Sequence, residues 1–120
     1  MTPFRTSVDE LRAECSKAAW ALRAGSRTPT QVERVAEPWT YDESVGLWEC
    51  TEGTFPSSRV GRTEVCLILK GRAEVSSDGD SAVISVSEGD LLVLPDGWSG
   101  SWDVIEPIEK IYINVSRAVD

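Results

Sequence analysis

The sequence predicts an all-β fold, an antiparallel sandwich or barrel that follows an N-terminal helix or arm. From residue 45 onward, short runs rich in β-branched and aromatic residues have a period of two, and turn residues separate them. No strand–helix–strand alternation occurs, so a doubly wound parallel sheet is excluded. The predicted strands are residues 45–51, 63–69, 72–77, 82–86, 91–94, 101–105 and 110–115. The predicted turns are Lys70-Gly71, Asp78-Gly79, Glu88-Gly89, Pro95-Asp96-Gly97 and Glu106-Pro107.

A helix is predicted near the N-terminus. Ser7 followed by Glu10 has the spacing of a capping box. Apolar residues then recur at helical intervals, and Gly25 is placed to end the segment. This pattern predicts a helix over residues 8–22. The alternative is a short helix followed by an extended arm at residues 20–22.

The chain divides into residues 1–44 and residues 45–120, where the helical period gives way to a period of two. Gly, Ser, Thr and Pro are frequent in residues 25–44, which predicts an irregular connection to the β body. A length of 120 residues is typical of one domain, so both parts are expected to form one structural domain.

The charge balance argues against two classes of partner. Twenty acidic and twelve basic residues give a formal net charge of −8 at pH 7. Nucleic acids and anionic membrane surfaces both select a clustered cationic surface, so neither is an expected partner. No apolar run reaches the ~18 residues of a membrane span, and the N-terminus is not signal-like. Three cysteines without a Cys-x-x-Cys spacing fit a reducing compartment, so a cytoplasmic location is expected.

The sequence contains no histidine and five tryptophans. Without an imidazole base, Ser-His-Asp and Cys-His nucleophile activation are impossible. Metal sites that use histidine ligands are excluded for the same reason. Any catalysis depends on carboxylates, lysine, tyrosine, a thiol or a bound cofactor.

Two spacings narrow the β fold to one family. Glu64 is followed after six residues by Gly71; Gly89 is followed after five by Pro95 and, one residue further on, by Gly97. With 17 residues between Gly71 and Gly89, the pattern resembles the two-motif signature of the cupin superfamily. The resemblance implies a jelly-roll barrel with a ligand cavity at its mouth, commonly in a dimer.

Residues 45–114 also look like the small cupins grouped with ureidoglycine aminohydrolase and the ethanolamine-utilisation Q-type protein. Metal-binding cupins carry two histidines shortly before the first motif's glutamate and a third after the second motif's Pro-x-Gly. This chain has Ser-Arg-Val-Gly-Arg at residues 58–62 and Gly100 at the later place, so only Glu64 of the four usual ligands is present. A lone carboxylate beside arginines is a poor site for a divalent metal. The sequence therefore predicts a cupin that holds neither metal nor cofactor.

The resemblance places Glu64 facing into the barrel, and strand alternation then turns Cys66 inward with it. A carboxylate in a barrel must be paired, hydrogen-bonded or neutral, and Arg59 or Arg62 is the expected partner. Glu64 is either part of a structural pair or a functional group, as a general acid/base or the receptor of a cationic ligand. Cys66 is either an inert buried thiol or a reactive thiol near the arginines.

Tryptophans extend the predicted ligand site. Trp48 and Trp102 lie on predicted strands, either as core packing or as cavity wall. Trp98 follows the Pro-x-Gly turn, where the cupin pattern puts the rim of the cavity, and turn aromatics are often binding contacts. A cavity lined by tryptophans suits a small planar or cationic ligand.

On the last predicted strand, Lys110 and Tyr112 share one face. For Tyr112 two positions stay open, a solvated face or the cavity as a hydrogen-bond donor. Lys110 is expected on a solvated face, where it offsets nearby glutamates. The acidic stretches at residues 78–80 and 106–109 are expected to be solvated turns.

These features favour a metal-free cupin that binds a small polar or nitrogen-containing metabolite through Arg59, Glu64 and the tryptophans. The alternatives are a ureidoglycine aminohydrolase-like enzyme that acts on C–N bonds, with Glu64 as the catalytic residue, and a non-catalytic accessory or structural subunit. Residues 65–69 are apolar on both faces of their strand. The N-terminal helix or a second subunit must cover the outer face, so a homodimer is expected.

Overall fold

The computed structural model of the chain describes residues 2–117 as an antiparallel β fold with a short N-terminal helix. The all-β prediction is confirmed. Within the described range, no helix is both long and apolar enough to cross a bilayer. The elements are α1 (Val8–Lys17), β1 (Ala21–Leu22), β2 (Val32–Thr40), β3 (Glu43–Cys50), β4 (Gly53–Ser58), β5 (Arg62–Ser77), β6 (Val83–Ser87), β7 (Leu91–Leu94) and β8 (Ser99–Ser116).

Two long strands, β5 and β8, organise the barrel. The first half of β5 pairs with β7 and with the second half of β8, which continues through β3 and β2 to β1. The second half of β5 pairs with β6 and with the first half of β8, whose other edge carries β4. Each long strand thus passes from one layer to the other, and the core lies between the layers.

The passage between the layers occurs at bulges around Gly71. The register of β5 against β8 shifts on both sides of this residue. Gly71 has φ +84°, and a Cβ atom there would lie 2.1 Å from the carbonyl oxygen of Pro107 on β8. The turns predicted at Lys70-Gly71 and Glu106-Pro107 are therefore wrong: two pairs of predicted strands are two single strands, each bent at a bulge.

The N-terminal helix is shorter than the predicted span of residues 8–22. Ser7 is its N-cap, and the Ser7 hydroxyl accepts a hydrogen bond from the Glu10 N–H at 3.1 Å. The helix ends with Ala18 as its C-cap, and Ala21–Leu22 then pair with β2. The alternative of a short helix followed by an extended arm is confirmed, because strand pairing replaces helical hydrogen bonds there.

The connection expected at residues 25–44 contains a nine-residue strand, β2. β2 pairs with β3, and the register shifts between Ala36 and Trp39. Pro38 lies in this irregularity, where its missing N–H costs no ladder hydrogen bond. The expectation that residues 25–44 are irregular is therefore wrong for residues 32–40, because the bulge lets a strand that contains a proline pair with β3. β4 also lies outside the predicted strands, since its glycine and proline disfavour a strand.

A small second cluster fixes α1 to the outside of the barrel. Leu11 and Cys15 are buried against β2 and β3, and Leu69 packs against the same cluster. Arg12 binds the Glu109 carboxylate at 2.8 Å. Glu109 is buried, so the acidic stretch at residues 106–109 is not a solvated turn throughout. The helix therefore covers one end of the outer apolar face of β5.

Candidate functional site

A cavity of about 510 Å³ extends from the interior of the barrel to the surface. Side chains from the segment after α1, from β2 to β5 and from β8 form its wall. Its aromatic wall consists of Trp48, Phe55 and Trp102. The charged side chains of the wall are Arg23, Glu33, Arg34, Glu37, Arg59, Glu64 and Lys110. Aromatic surface and charge therefore meet in one cavity.

The three aromatic rings contact one another. Trp48 packs edge to face on Trp102 and on Phe55, with ring centroids 6.0 and 5.9 Å apart. Phe55 and Trp102 are stacked at 6.4 Å with an interplanar angle of 5°. The Trp48 Nε1–H donates a hydrogen bond to Glu33 at 2.7 Å. Trp48 and Trp102 thus both contribute to the core and to the cavity wall.

Glu64 lies in the wall as a buried carboxylate held by three groups of this chain. One of its oxygens accepts a hydrogen bond from Arg59 at 2.7 Å, and the other accepts one from the Lys110 ammonium at 2.7 Å. The Cys66 thiol donates to the second oxygen at 2.8 Å. Of the two arginines predicted as partners, Arg59 and not Arg62 makes the pair. The inward orientation predicted from alternation is observed, since Glu64 and Cys66 are both buried.

The environment of Glu64 keeps its carboxylate charged. Burial alone raises its pKa, but the positive charges of Lys110 and Arg59 and the hydrogen bonds outweigh burial, so its pKa lies below the ordinary value. This favours the interpretation of Glu64 as part of a structural ion pair. Burial raises the pKa of the Cys66 thiol to about 12. Cys66 lies behind Glu64 rather than among the cavity-lining residues of the described chain, which favours the inert-thiol interpretation.

Lys110 corrects a sequence prediction. It is not on a solvated face, because its side chain is only 7% exposed and contacts Glu64. Its Nζ lies 4.6 Å from the Trp48 ring centroid and 4.5 Å from that of Trp102. The physical reason is that a buried carboxylate needs a cation, and the inward face of β8 supplies one. Aromatic faces stabilise the same charge.

The second sequence motif positions Arg59. The Arg59 N–H donates to the Trp98 carbonyl, and the Gly97 N–H donates to the Arg59 carbonyl, both at 2.8 Å. The Gly61 N–H donates to the Asp96 carboxylate at 2.8 Å. The Pro-x-Gly turn of the second motif therefore fixes the loop that carries Arg59, and this loop leads directly into Glu64 of the first motif.

Trp98 itself is not in the cavity wall formed by the described residues, contrary to its predicted place at the rim. Its ring packs against the core, and its Nε1–H donates to the Ser77 hydroxyl at 2.9 Å. The turn directs the backbone of Trp98, rather than its side chain, towards Arg59. Its contribution to the site is therefore to the position of the loop.

Tyr112, on β8, lines the cavity, which is one of the two positions predicted for it; the other is a solvated face. Its hydroxyl donates a hydrogen bond to the Glu37 carboxylate. Burial and this carboxylate together raise the pKa of Tyr112, so the phenol stays neutral. A Cβ atom at Gly46 would lie 2.5 Å from the Tyr112 hydroxyl, so glycine is needed there.

Three buried polar atoms of the described chain have no hydrogen-bond partner within it. They are Nε of Arg23, Nε of Arg59 and Oδ1 of Asn114. All three residues line the cavity. An unpaired buried polar group costs about 1–3 kcal/mol, and native proteins leave few of them. Unpaired groups that cluster at one cavity are typical of a binding site.

Sequence reasoning missed several residues of this wall. They are Arg23, Glu33, Glu37, Phe55 and Asn114. Glu33 and Glu37 lie on β2 and Phe55 lies on β4, two strands that the sequence did not predict, and Arg23 lies just after the extended arm. Asn114 alone had a usable signal, because it alternates onto the same face as Lys110 and Tyr112.

The donor set does not fit the metal that histidine-bearing cupins hold. Within residues 2–117, no three Cys, Asp or Glu side chains come together as a ligand cluster. Glu64 is engaged by Arg59 and Lys110, whose charges repel a divalent ion. The Cys66 thiol is protonated at neutral pH, whereas metal binding needs a thiolate.

The comparisons with known proteins agree with this architecture. A family model of the EutQ-like cupin domain matches residues 40–112. The EutQ protein of Clostridium difficile has a TM-score of 0.66 at 22% identity, over 78% of this chain and 75% of its own. A Rhizobium leguminosarum protein of unknown function has a TM-score of 0.69 at 18% identity, over 98% and 100%. These likenesses show the cupin fold.

A DUF861 family protein of Thermotoga maritima is 33% identical over 55% of this chain and 73% of its own, with a TM-score of 0.51. No curated protein matches the chain. The family match spans more than half of the sequence and includes both motifs that position Glu64 and Arg59. The chain therefore belongs to the cupin superfamily, as a member of the EutQ-like cupin domain family.

Proposed function

We propose that this protein is a cupin that works without a metal ion and binds a small polar or nitrogen-containing metabolite in its barrel cavity. The observation that carries the proposal is the cavity of about 510 Å³, in which stacked aromatic rings adjoin buried charged groups. Ligand pockets usually have volumes of about 300–1,000 Å³ and combine an apolar wall with a few polar groups.

The energetics of the wall support a binding role. Buried ion pairs contribute little net stability, and well-packed apolar residues in their place are often neutral or stabilising. A barrel selected for stability alone would fill this space with apolar side chains. The chain instead keeps Glu64, Arg59 and Lys110 beside a cavity and leaves Arg23 and Asn114 with unpaired polar atoms.

In this proposal Trp48 and Trp102 contact the body of the ligand, and Arg59 and Tyr112 supply polar contacts. Glu64 holds Arg59 and Lys110 in place, and a catalytic role for Glu64 stays a prediction. Cys66 and Trp98, which were also predicted as ligand contacts, act behind the wall through Glu64 and the Arg59 loop.

Mass spectrometry of the purified full chain tests the proposal. Native spectra of the folded protein should show a bound small molecule, which denaturation releases for identification. Adding the released compound back should quench tryptophan fluorescence. Glu64→Gln should weaken this binding, and unchanged binding would remove Glu64 from the site.

Metal analysis of the same preparation decides among the alternatives. Stoichiometric manganese or zinc would contradict the proposal and support the ureidoglycine aminohydrolase-like hydrolase. A protein with neither metal nor small molecule, whose fluorescence no metabolite mixture changes, would support the accessory or structural subunit. A bound organic molecule without metal supports the proposal.

We also propose a homodimer that buries an apolar surface on β5, β7 and β8. Val65 lies beside Val93 and Ile113 in the sheet, and Leu67 lies beside Leu91. Leu91, Val93 and Ile113 are 72%, 56% and 40% exposed. Because α1 covers only the other end of this face, a second copy is proposed to cover these residues.

A cytoplasmic location, without nucleic acid or membrane partners, is part of the same proposal. The three cysteines are free and buried in the described structure, a state that a reducing compartment maintains. The net charge of −8 disfavours binding to polyanionic surfaces. Fractionation of cells that express the full chain checks both points.

A further inference from the structure

We infer that the ligand is a small organic anion whose carboxylate lies against Arg59 and Lys110. The inference rests on the proposed function, since it specifies the chemical class that the same cavity takes. It depends on four observations: which charged position is already filled, where positive charge is in excess, which donors are free, and where the remaining acceptors lie.

The position that would suit an ammonium ligand is filled by the protein's own ammonium. Lys110 Nζ faces the rings of Trp48 and Trp102 and lies 2.7 Å from Glu64. Aromatic faces around a cation, with a carboxylate beside it, form the arrangement by which proteins bind ammonium ligands. A cationic ligand would have to displace Lys110 from all three contacts, so the cavity disfavours a cation at Glu64.

Positive charge is in excess at the same place. Arg59 and Lys110 share a single counter-ion, Glu64, which leaves one surplus positive charge. The other arginines of the wall are balanced, because Arg23 pairs with Glu33 and Arg34 with Glu49, which lies outside the wall. Glu37 also belongs to the wall and has no cationic partner among the described residues, but it is exposed, so solvent screens its charge and the surplus at Arg59 and Lys110 stays local. A group with one negative charge neutralises the surplus.

Donors remain for such an anion. Arg59 donates from one terminal nitrogen to the Ser58 carbonyl and from the other to Glu64, and each of these nitrogens carries a second N–H. Lys110 has three N–H donors, and Glu64 accepts the only hydrogen bond found for them among the described residues. Guanidinium and ammonium donors form charge-assisted hydrogen bonds with carboxylates.

Acceptors remain for an N–H group of the ligand. Glu37 is exposed and accepts a hydrogen bond from Tyr112, which places it towards solvent. The unpaired oxygen of Asn114 is a further acceptor. An N–H group of the ligand is compatible with Glu37 at the solvent side, whereas the carboxylate belongs at Arg59 and Lys110. The stacked rings of Phe55 and Trp102 suit an apolar or planar body.

Three probes of similar shape and different charge test the inference on the full chain. They are phenylacetate, phenylacetamide and phenethylammonium, titrated at pH 7 while tryptophan fluorescence is recorded. Phenylacetate should bind about tenfold or more tightly than the neutral amide, as one charge-assisted contact of about 1.4 kcal/mol requires. Phenethylammonium should bind most weakly. Tighter binding of the ammonium or of the amide would overturn the inference.

A matched pair of variants locates the anion. Arg59→Gln should weaken phenylacetate about tenfold and leave phenylacetamide nearly unchanged. Arg62→Gln removes the same charge from the exposed end of β5, outside the wall of this cavity, and should change neither affinity. Equal losses of phenylacetate affinity in both variants would mean that the net charge of the protein alone determines the affinity, which contradicts a carboxylate site at Arg59.

The small molecule released from the purified protein separates this inference from the proposed function. An organic anion supports both. A cation or a neutral compound overturns the anion inference and leaves the proposed function in place. If nothing is released and none of the three probes changes the fluorescence, both are overturned.

Discussion

Replacing Glu64 with glutamine tests the central feature of the site, a carboxylate shared by two buried cations. Glu64→Gln keeps the shape of the side chain and removes its charge, which leaves Arg59 and Lys110 facing each other. The side chains of Glu64 and Lys110 are 6% and 7% exposed, so solvent screens their interaction only weakly. Removing one partner of a buried pair costs about 3–5 kcal/mol.

Urea denaturation gives this loss as a free energy of unfolding, and thermal unfolding gives it as a shift in melting temperature, both followed by circular dichroism. For a chain of this length the melting temperature should fall about 4 °C per kcal/mol, so a decrease of about 12–20 °C is expected. Glu106→Gln is the control, because its pair with Arg72 is exposed and worth less than about 1 kcal/mol. The double variant Glu64→Gln/Lys110→Met should be more stable than Glu64→Gln alone, since it removes the unpaired ammonium.

The pH dependence supplies an independent check. Because the folded-state pKa of Glu64 is lowered, its contribution is present above the unfolded pKa and is lost as the pH falls through the folded pKa. The stability difference between wild type and Glu64→Gln should therefore shrink below about pH 4. A loss under about 1 kcal/mol at pH 7, or a double variant less stable than Glu64→Gln, would refute the reasoning.

Three further predictions concern the fold, the thiols and the dimer. Gly71→Ala should lower the free energy of unfolding, measured by urea denaturation, more than Gly79→Ala does. Both glycines have positive φ, but of the two only a Cβ at Gly71 meets backbone within 4 Å. The strain at Gly79 alone is about 1–2 kcal/mol, and equal losses in the two variants would contradict the clash at Gly71. The thiols of the folded protein should resist a water-soluble disulfide reagent at pH 8 and react once urea unfolds the chain. The reason is that Cys66 is fully buried and has a pKa of about 12. Rapid reaction of the native protein would contradict this prediction. Leu91→Lys should convert a dimer into a monomer in sedimentation velocity, whereas Val83→Lys on β6 should not, and a monomeric wild type at micromolar concentration would exclude the dimer.

The inward face of β5 could be predicted from the sequence, because side chains alternate along a strand and the orientation of one residue determines that of its neighbours. Once Glu64 is assigned to the interior by the motif, the positions of Cys66 and Ile68 follow, and all three are buried. The motif spacing also has a physical meaning. Gly71 allows the close approach to β8, and Gly97 belongs to the turn that holds the Arg59 loop.

The sequence predictions that were wrong concern features that depend on pairing between distant segments of the chain. β2 carries Pro38 and lacks strict alternation, yet pairing with β3 stabilises it and a bulge accommodates the proline. The sequence predicts Lys110 on a solvated face, where it offsets nearby glutamates. Its actual position is decided by Glu64, 46 residues earlier in the chain, and no local pattern around residue 110 contains that information.

The absence of histidine and the position of Lys110 belong to one electrostatic arrangement. A carboxylate buried in a barrel is stable only beside a cation, whatever that cation is. In cupins with histidine ligands a metal ion meets that need; here the ammonium of Lys110 and the guanidinium of Arg59 bind the two oxygens of Glu64. Glu64 therefore keeps its charge without a metal. Because two cations pair with the single carboxylate of Glu64, one positive charge at Arg59 and Lys110 stays uncompensated, and a ligand carboxylate can pair with it.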